Sequence, residues 1–174
     1  MTEENWFKAI SPDDRSGEIL VSFSHQWFKK IDRNNISVVF RRRVPRASAP
    51  KRLYIYLGAA ASSLVGFANI LKLHDIDLNG ALKLAEKSGL TERDLRGYFA
   101  GRESIGCYRI GDIFLFDRAI PLKELRQESG FNPPQSFLFV SKKASEWLHG
   151  MPCAPSDLRA TLASPFVEEG VGIQ

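Results

Sequence analysis

The chain has 174 residues, 44% hydrophobic and 25% charged, which is the composition of one ordinary globular domain with modest extensions rather than of a disordered or fibrous chain. No run of about 18 apolar residues occurs, so a membrane-spanning helix is excluded. Net charge is only +4, yet nine basic residues and one acid fall between Trp27 and Arg52, so that segment carries +8 and the rest of the chain −4; an asymmetry this local favours a polyanionic partner over a general solubility role.

The opening MTEENWFKAI is acidic and has no apolar signal segment, so secretion is not expected and a cytoplasmic location is. Cys107 and Cys153 lie far apart, and His25, His74 and His149 are equally scattered. A zinc site needs about four clustered ligands, so no metal or cofactor is expected and both thiols read as inert.

Residues 1–17 form a polar lead-in. EILVSF (18–23) reads as a buried strand, and Ser24 starts a short helix through Ile31. ISVVF (36–40) is a strand that runs into Arg41, Arg42 and Arg43. VPRASAP (44–50) is a loop framed by Pro45 and Pro50. RLYIYLG (52–58) alternates as a strand, and a long strand follows over 62–76, where Gly66 marks a bulge or a close backbone approach. A helical pair occupies the middle. The spacing predicts one helix over 78–89 ending at Gly89, and one over 91–101 opened by a capping box of Thr91 and Asp94. Strand returns over 105–120, Pro121 opens one helical turn as its first residue, GFNPPQ is a loop, SFLFV a last strand and KKASEWLHG a short helix. Residues 149–174 are expected to be a tail. The order gives an α+β fold with a mixed or antiparallel sheet curled into a small barrel, flanking helices and a mid-chain helical insertion.

FRRR, YIYLGAAASSLVGFANI, GLTERDLRGYFAGRESIGCYRI, FDRAIPLKEL and PPQSF occur in this order. Together these blocks resemble the ASCH domain family of the PUA-like superfamily, over about residues 18–148. The resemblance implies a pseudo-barrel with a cleft for RNA or a nucleotide-like ligand. Some members are amidohydrolases of N4-acylated cytidines, with a signature of roughly Gly-x-Lys-x-x-(Glu or Thr)-x-Arg and a further Glu near the end of the first mid-chain helix. With Arg41 as the arginine, Asn34 stands at the glycine, Ile36 at the lysine and Val39 at the Glu or Thr. Ser88 stands at the second Glu, with Glu86 close by. Aliphatic side chains supply neither nucleophile nor proton carrier, so an intact amidohydrolase site is not expected.

The resulting reading is a nucleic-acid-binding module for RNA or another single strand. A regulatory role, such as in transcription, rests on family analogy alone. Arg41 faces the cleft, and alternation puts Arg43 on its face and Arg42 on the other. Arg42, Arg43, Arg46, Lys51 and Arg52 form a basic rim for phosphates. Tyr98, Arg102, Gln135 and Ser136 are further ligand candidates, while Tyr54, Tyr56 and the tryptophans read as packing. Two other readings stand beside it: a nucleoside amidohydrolase or nuclease with displaced catalytic groups, with Glu86, Asp94 and Glu103 as the carboxylates to inspect; and an interaction domain for an acidic protein partner. The oligomeric state is left open.

Overall fold

Seven strands and six short helices are traced by a computed structural model that describes residues 11–32 and 35–156. The strands are β1 (Arg15–Phe23), β2 (Val38–Arg41), β3 (Arg52–Leu57), β4 (Ser63–Asp77), β5 (Ser104–Pro121), β6 (Leu138–Ser141) and β7 (Cys153–Pro155). The helices are α1 (Phe28–Asp32), α2 (Leu78–Lys83), α3 (Ala85–Ser88), α4 (Glu92–Tyr98), α5 (Leu122–Ser129) and α6 (Lys142–His149). The sheet is mixed. Its order is β2-β5-β4-β3-β1-β6, with β1 parallel to β3, the other pairs antiparallel, and β7 added on β5.

Alternation along β3 sorts the core. Leu53, Ile55 and Leu57 point to one face and Tyr54 and Tyr56 to the other, and all five are buried. The first face gathers Ile19, Val21, Ile55, Val39 and Tyr108, with Phe139 packed against them. Val39 lies on β2 and Phe139 on β6, the two ends of the sheet order, so the sheet curls until both ends reach one core. The pairing does not close, because β2 and β6 are not partners. The barrel expected from the sequence is thus an open pseudo-barrel, mixed rather than purely antiparallel. On the second face, Leu20, Tyr54, Tyr56 and Leu64 pack with Leu125 of α5 and Ala144 and Leu148 of α6. A third cluster, with Val38, Phe40, Ile105 and Cys107, is covered by Ala81, Leu95 and Phe99 from the helical insertion. Leu95 is the fully buried residue of α4, and its truncation to alanine would cost about 2–5 kcal/mol.

Local signals explain where elements stop. Thr91 caps α4 by accepting from the Asp94 N–H, and Asp94 accepts in turn from the Thr91 N–H, the reciprocal box expected from the sequence. Gly89 ends α3 with φ +69°. At Gly66 the register between β4 and β5 shifts, and a Cβ there would lie 2.0 Å from the Phe114 carbonyl oxygen. The residue is glycine because another backbone occupies the side-chain space.

Four expectations are refined. The helix expected over 78–89 breaks at Leu84 (φ −105°, ψ 6°) into α2 and α3. The strand expected over 36–40 begins at Val38, since Ser37 N–H donates instead to the Lys87 carbonyl of α3. Pro121 is the N-cap of α5, not its first helical residue, and the helix runs to Ser129. Beyond α6 the chain returns as β7 on β5; positions 157–174 of the expected tail and 1–10 of the lead-in lie outside the described residues.

Candidate functional site

A cleft of about 590 Å³ opens between β2, the turn and helix that follow β1, and the segment from α3 to α4. Its wall from β2 and the segment just before it is apolar: Ile36, Val38, Val39 and Phe40 all line it. Polar and aromatic groups surround that wall, from Gln26, Trp27 and Lys30 on one side and Arg41, Arg42 and Tyr98 on the other.

Arg41 is the last residue of β2 and shares the face of Val39. Its Nη2 donates to the Ser22 carbonyl at 2.8 Å, and the guanidinium carbon sits 4.6 Å from the centre of the Phe23 ring. That carbonyl uses one of the five guanidinium donors. Below lies Tyr108, a fully buried phenol with no hydrogen-bond partner among the described residues. Burial pushes its pKa well above the ordinary phenol range, with the Arg41 charge opposing.

Arg42 takes the other face. Its Nε donates to the Tyr98 carbonyl at 2.9 Å and Nη2 to the Gly97 carbonyl at 3.0 Å, and its guanidinium lies 5.0 Å from the Tyr98 ring centre. It therefore clamps the C-terminal carbonyls of α4, where a cation is favoured. On the opposite wall, Lys30 Nζ donates to the Gly89 carbonyl and lies 4.6 Å from the Trp27 ring centre. Trp27 and Tyr98 thus each carry a cation over the ring, and both face the cleft.

The carboxylate on the cleft is Asp94. The Thr91 N–H and hydroxyl both donate to it, the backbone donor first in effect, and they hold its carboxyl below the usual range. It is an acceptor committed to a helix cap and stays ionised. Glu86 and Glu103 are exposed and do not line the cleft.

The structure brings Ile36, Val39, Ser88 and Arg41 together in this one cleft. These are the four positions that align with the signature of the resembled amidohydrolases; Ile36 and Val39 are aliphatic there. Ser88 is buried, its hydroxyl donating to the Ala85 carbonyl and accepting from the Leu90 N–H.

Of the remaining candidates, none lines the cleft. Arg43 and Lys51 are exposed. Arg46 is bound to both oxygens of Asp75 at 2.8 Å. Arg52 lies on the opposite face of the sheet, 3.7 Å from Glu18 and with its guanidinium 4.1 Å from the Phe67 ring centre. Arg102 donates at 3.4 Å to the Arg42 carbonyl. Gln135 is exposed and Ser136 half-buried in the loop before β6. Gln26, Trp27 and Lys30 were not singled out from the sequence. The available signal was the Trp27–Lys30 spacing of three residues within the basic segment, which puts both on one side of a helical turn.

No protein-family model matches the chain. It is similar to an ASCH domain-containing ribonuclease of Zymomonas mobilis, 29% identical over 133 residues that cover 75% of this chain and 89% of the relative. The crystal structure of ASCH from Zymomonas mobilis superposes with a TM-score of 0.70 at 27% identity, covering 78% of this chain and 96% of that one. Sequence and fold together support an ASCH domain in this chain. Crystal structures of a serine-to-alanine and a tyrosine-to-phenylalanine variant of the Zymomonas protein match this ASCH chain equally, with TM-scores of 0.68 and 0.67 and 28% identity in each case. The blocks quoted from the ASCH sequence fall at the end of β2, on β3 and β4, from α4 into β5, from β5 into α5, and on the loop before β6. The cleft of the ASCH domain thus takes residues from the first and third of them, from the positions just before each, and from the turn after β1.

Proposed function

We propose that this ASCH domain is an RNA-binding module whose cleft takes an unpaired nucleotide of a single strand. The observation that carries the reading is Arg41: a half-buried guanidinium, held by Ser22 at the mouth of an apolar cleft, with Trp27 and Tyr98 on the same cleft. Unpaired bases are recognised by aromatic faces together with polar groups, and each stacked base contributes about 1–3 kcal/mol. An apolar wall accepts a base face, and a guanidinium fork accepts a phosphate or a base edge. The ribonuclease from Zymomonas mobilis makes RNA the polymer to try first.

The test is a titration with short single-stranded RNA, duplex RNA and duplex DNA at several salt concentrations. The single strand is expected to bind best, with a log–log salt slope of about −0.7 per phosphate contacted. Arg41→Ala and Trp27→Ala should each weaken binding at least tenfold. Absence of binding to all three polymers at low salt overturns the reading. N4-acetylcytidine is expected to survive incubation, because Ile36 and Val39 are aliphatic and the buried Ser88 hydroxyl is engaged with the Ala85 carbonyl and the Leu90 N–H; measurable deacylation would place an amidohydrolase in this cleft after all. Following the same RNA for chain cleavage decides between binding alone and the nuclease alternative.

A further inference from the structure

Val38, Arg109 and Lys72 stand in one row across β2, β5 and β4: Val38 pairs with Arg109, and Arg109 with Lys72. Directly opposed residues on antiparallel strands share a face, with Cβ atoms about 5 Å apart. A lysine opposite an arginine is therefore a like-charge pair, which destabilises a sheet. Neither cation has a carboxylate partner among the described residues, and both are exposed. Asp75 of β4 is already bound through both oxygens to Arg46.

The register of β4 on β5 shifts between Ile70 and Lys72, so a bulge at Leu71 sets the direction of Lys72. Bulges are frequent next to functional sites because they re-aim side chains. A local rule broken with no structural gain is itself a mark of function. Beside the row, the imidazole of His74 is pushed below its usual range by burial first, then by Lys72 and Arg109, with Asp75 opposing weakly. Val38 lines the cleft, so Arg109 and Lys72 lie one and two strand spacings from its wall, about 5 and 10 Å.

We infer that Arg109 and Lys72 form a phosphate-binding track that continues from the cleft across β5 and β4 and carries the backbone of the strand whose nucleotide the cleft holds. The inference rests on the cleft binding RNA. The nucleotide in the cleft supplies position, and the track supplies affinity that grows with strand length, because phosphate contacts carry no sequence information.

Uridine monophosphate and a nonauridylate are titrated against wild type, Arg41→Ala and the double variant Lys72→Ala/Arg109→Ala over a range of salt. The wild type is expected to bind the longer ligand more tightly. The double variant should bind the monophosphate as wild type does, lose the gain from length, and show a salt slope shallower by about 1.4, two phosphates at about 0.7 each. Its melting temperature should rise, since a repulsive pair is removed, so loss of binding cannot be put down to unfolding. An unchanged slope with intact nonauridylate binding overturns the track and leaves the cleft reading in place. Loss of binding in the double variant but not in Arg41→Ala overturns the cleft reading and with it a track that continues from the cleft. No binding by wild type overturns both. Competition by polyglutamate as strong as by RNA of equal charge assigns the row to an acidic protein and overturns the track as a nucleic-acid contact.

Discussion

Arg41 on β2 donates to the carbonyl of Ser22 on β1 across 2.8 Å, although β5, β4 and β3 intervene between those strands in the sheet. The guanidinium spans the open side of the pseudo-barrel, and its packing on Phe23 ties the same residue to the cleft. A charge-assisted hydrogen bond is worth about 1.5–3 kcal/mol. Arg41→Ala should lower stability by about 1–2 kcal/mol in urea unfolding, and Arg41→Lys by less, since an ammonium can still donate but cannot stack as a plane. Affinity for single-stranded RNA should fall in both.

Arg52 behaves differently because it sits on the other face. Glu18 is only 6% exposed and binds three partners: His149 Nε2, the Tyr54 hydroxyl at 3.2 Å and Arg52 at 3.7 Å. Removing one member of a buried charged set leaves the others unpaired and costs about 3–5 kcal/mol. Glu18→Ala should therefore destabilise by that order in denaturant unfolding. Arg52→Ala should destabilise as well, yet leave RNA affinity within about twofold. A tenfold loss of affinity in the Arg52 variant at full folding would return this residue to the binding surface.

Gly89 joins strain to position. Its φ is +69°, and a Cβ there would come 2.8 Å from Lys30 Cδ and 3.0 Å from Trp27 Cζ3. The left-handed conformation alone costs a non-glycine residue about 1–2 kcal/mol. Gly89→Ala should lower the melting temperature and also displace the Trp27–Lys30 wall. Trp27 fluorescence would report that movement in the folded variant, and an unchanged spectrum would show that the wall does not depend on Gly89.

His74 sets a pH dependence with a definite sign. Burial, Lys72 and Arg109 lower its folded pKa below the usual value of 6.5, so the unfolded chain binds the proton more readily. Its contribution to stability is fully present above about pH 6.5 and is lost as pH falls through the lowered folded value. Unfolding free energy should decline over that acidic window, and His74→Gln should flatten the decline. A steeper decline in the variant would refute the assignment to His74.

Short-range features were legible because their physics is local. The Thr91–Asp94 box and the stop at Gly89 depend on a few neighbouring residues, and the capping bonds form where the spacing places them. Gly66 was legible as an anomaly within an apolar run. What the sequence hid is nonlocal. Arg52 reads as a free cation until parallel pairing sets Glu18 beside it. Arg46 reads likewise until β4 brings Asp75. Lys30 and Trp27 form a wall only against Gly89, 59 positions from Lys30. β7 was missed for the same reason: Cys-Ala-Pro has no strand periodicity, and β5 alone gives it one. Arg41 was singled out because the family pattern points to it, and Val39, two residues earlier, because an aliphatic stands where that pattern carries a reactive residue.

The long strand β5 has one edge covered by β4, while the other is shared end to end, by β2 along Gly106–Arg109 and by β7 along Phe114–Phe116. Three residues beyond α6 therefore shield an apolar, otherwise unpaired stretch of backbone. A chain shortened to end at Gly150 would keep every cleft residue yet expose that edge as a template for another chain. Its weakness would be self-association through Phe114–Phe116, with concentration-dependent loss of soluble protein rather than loss of the fold.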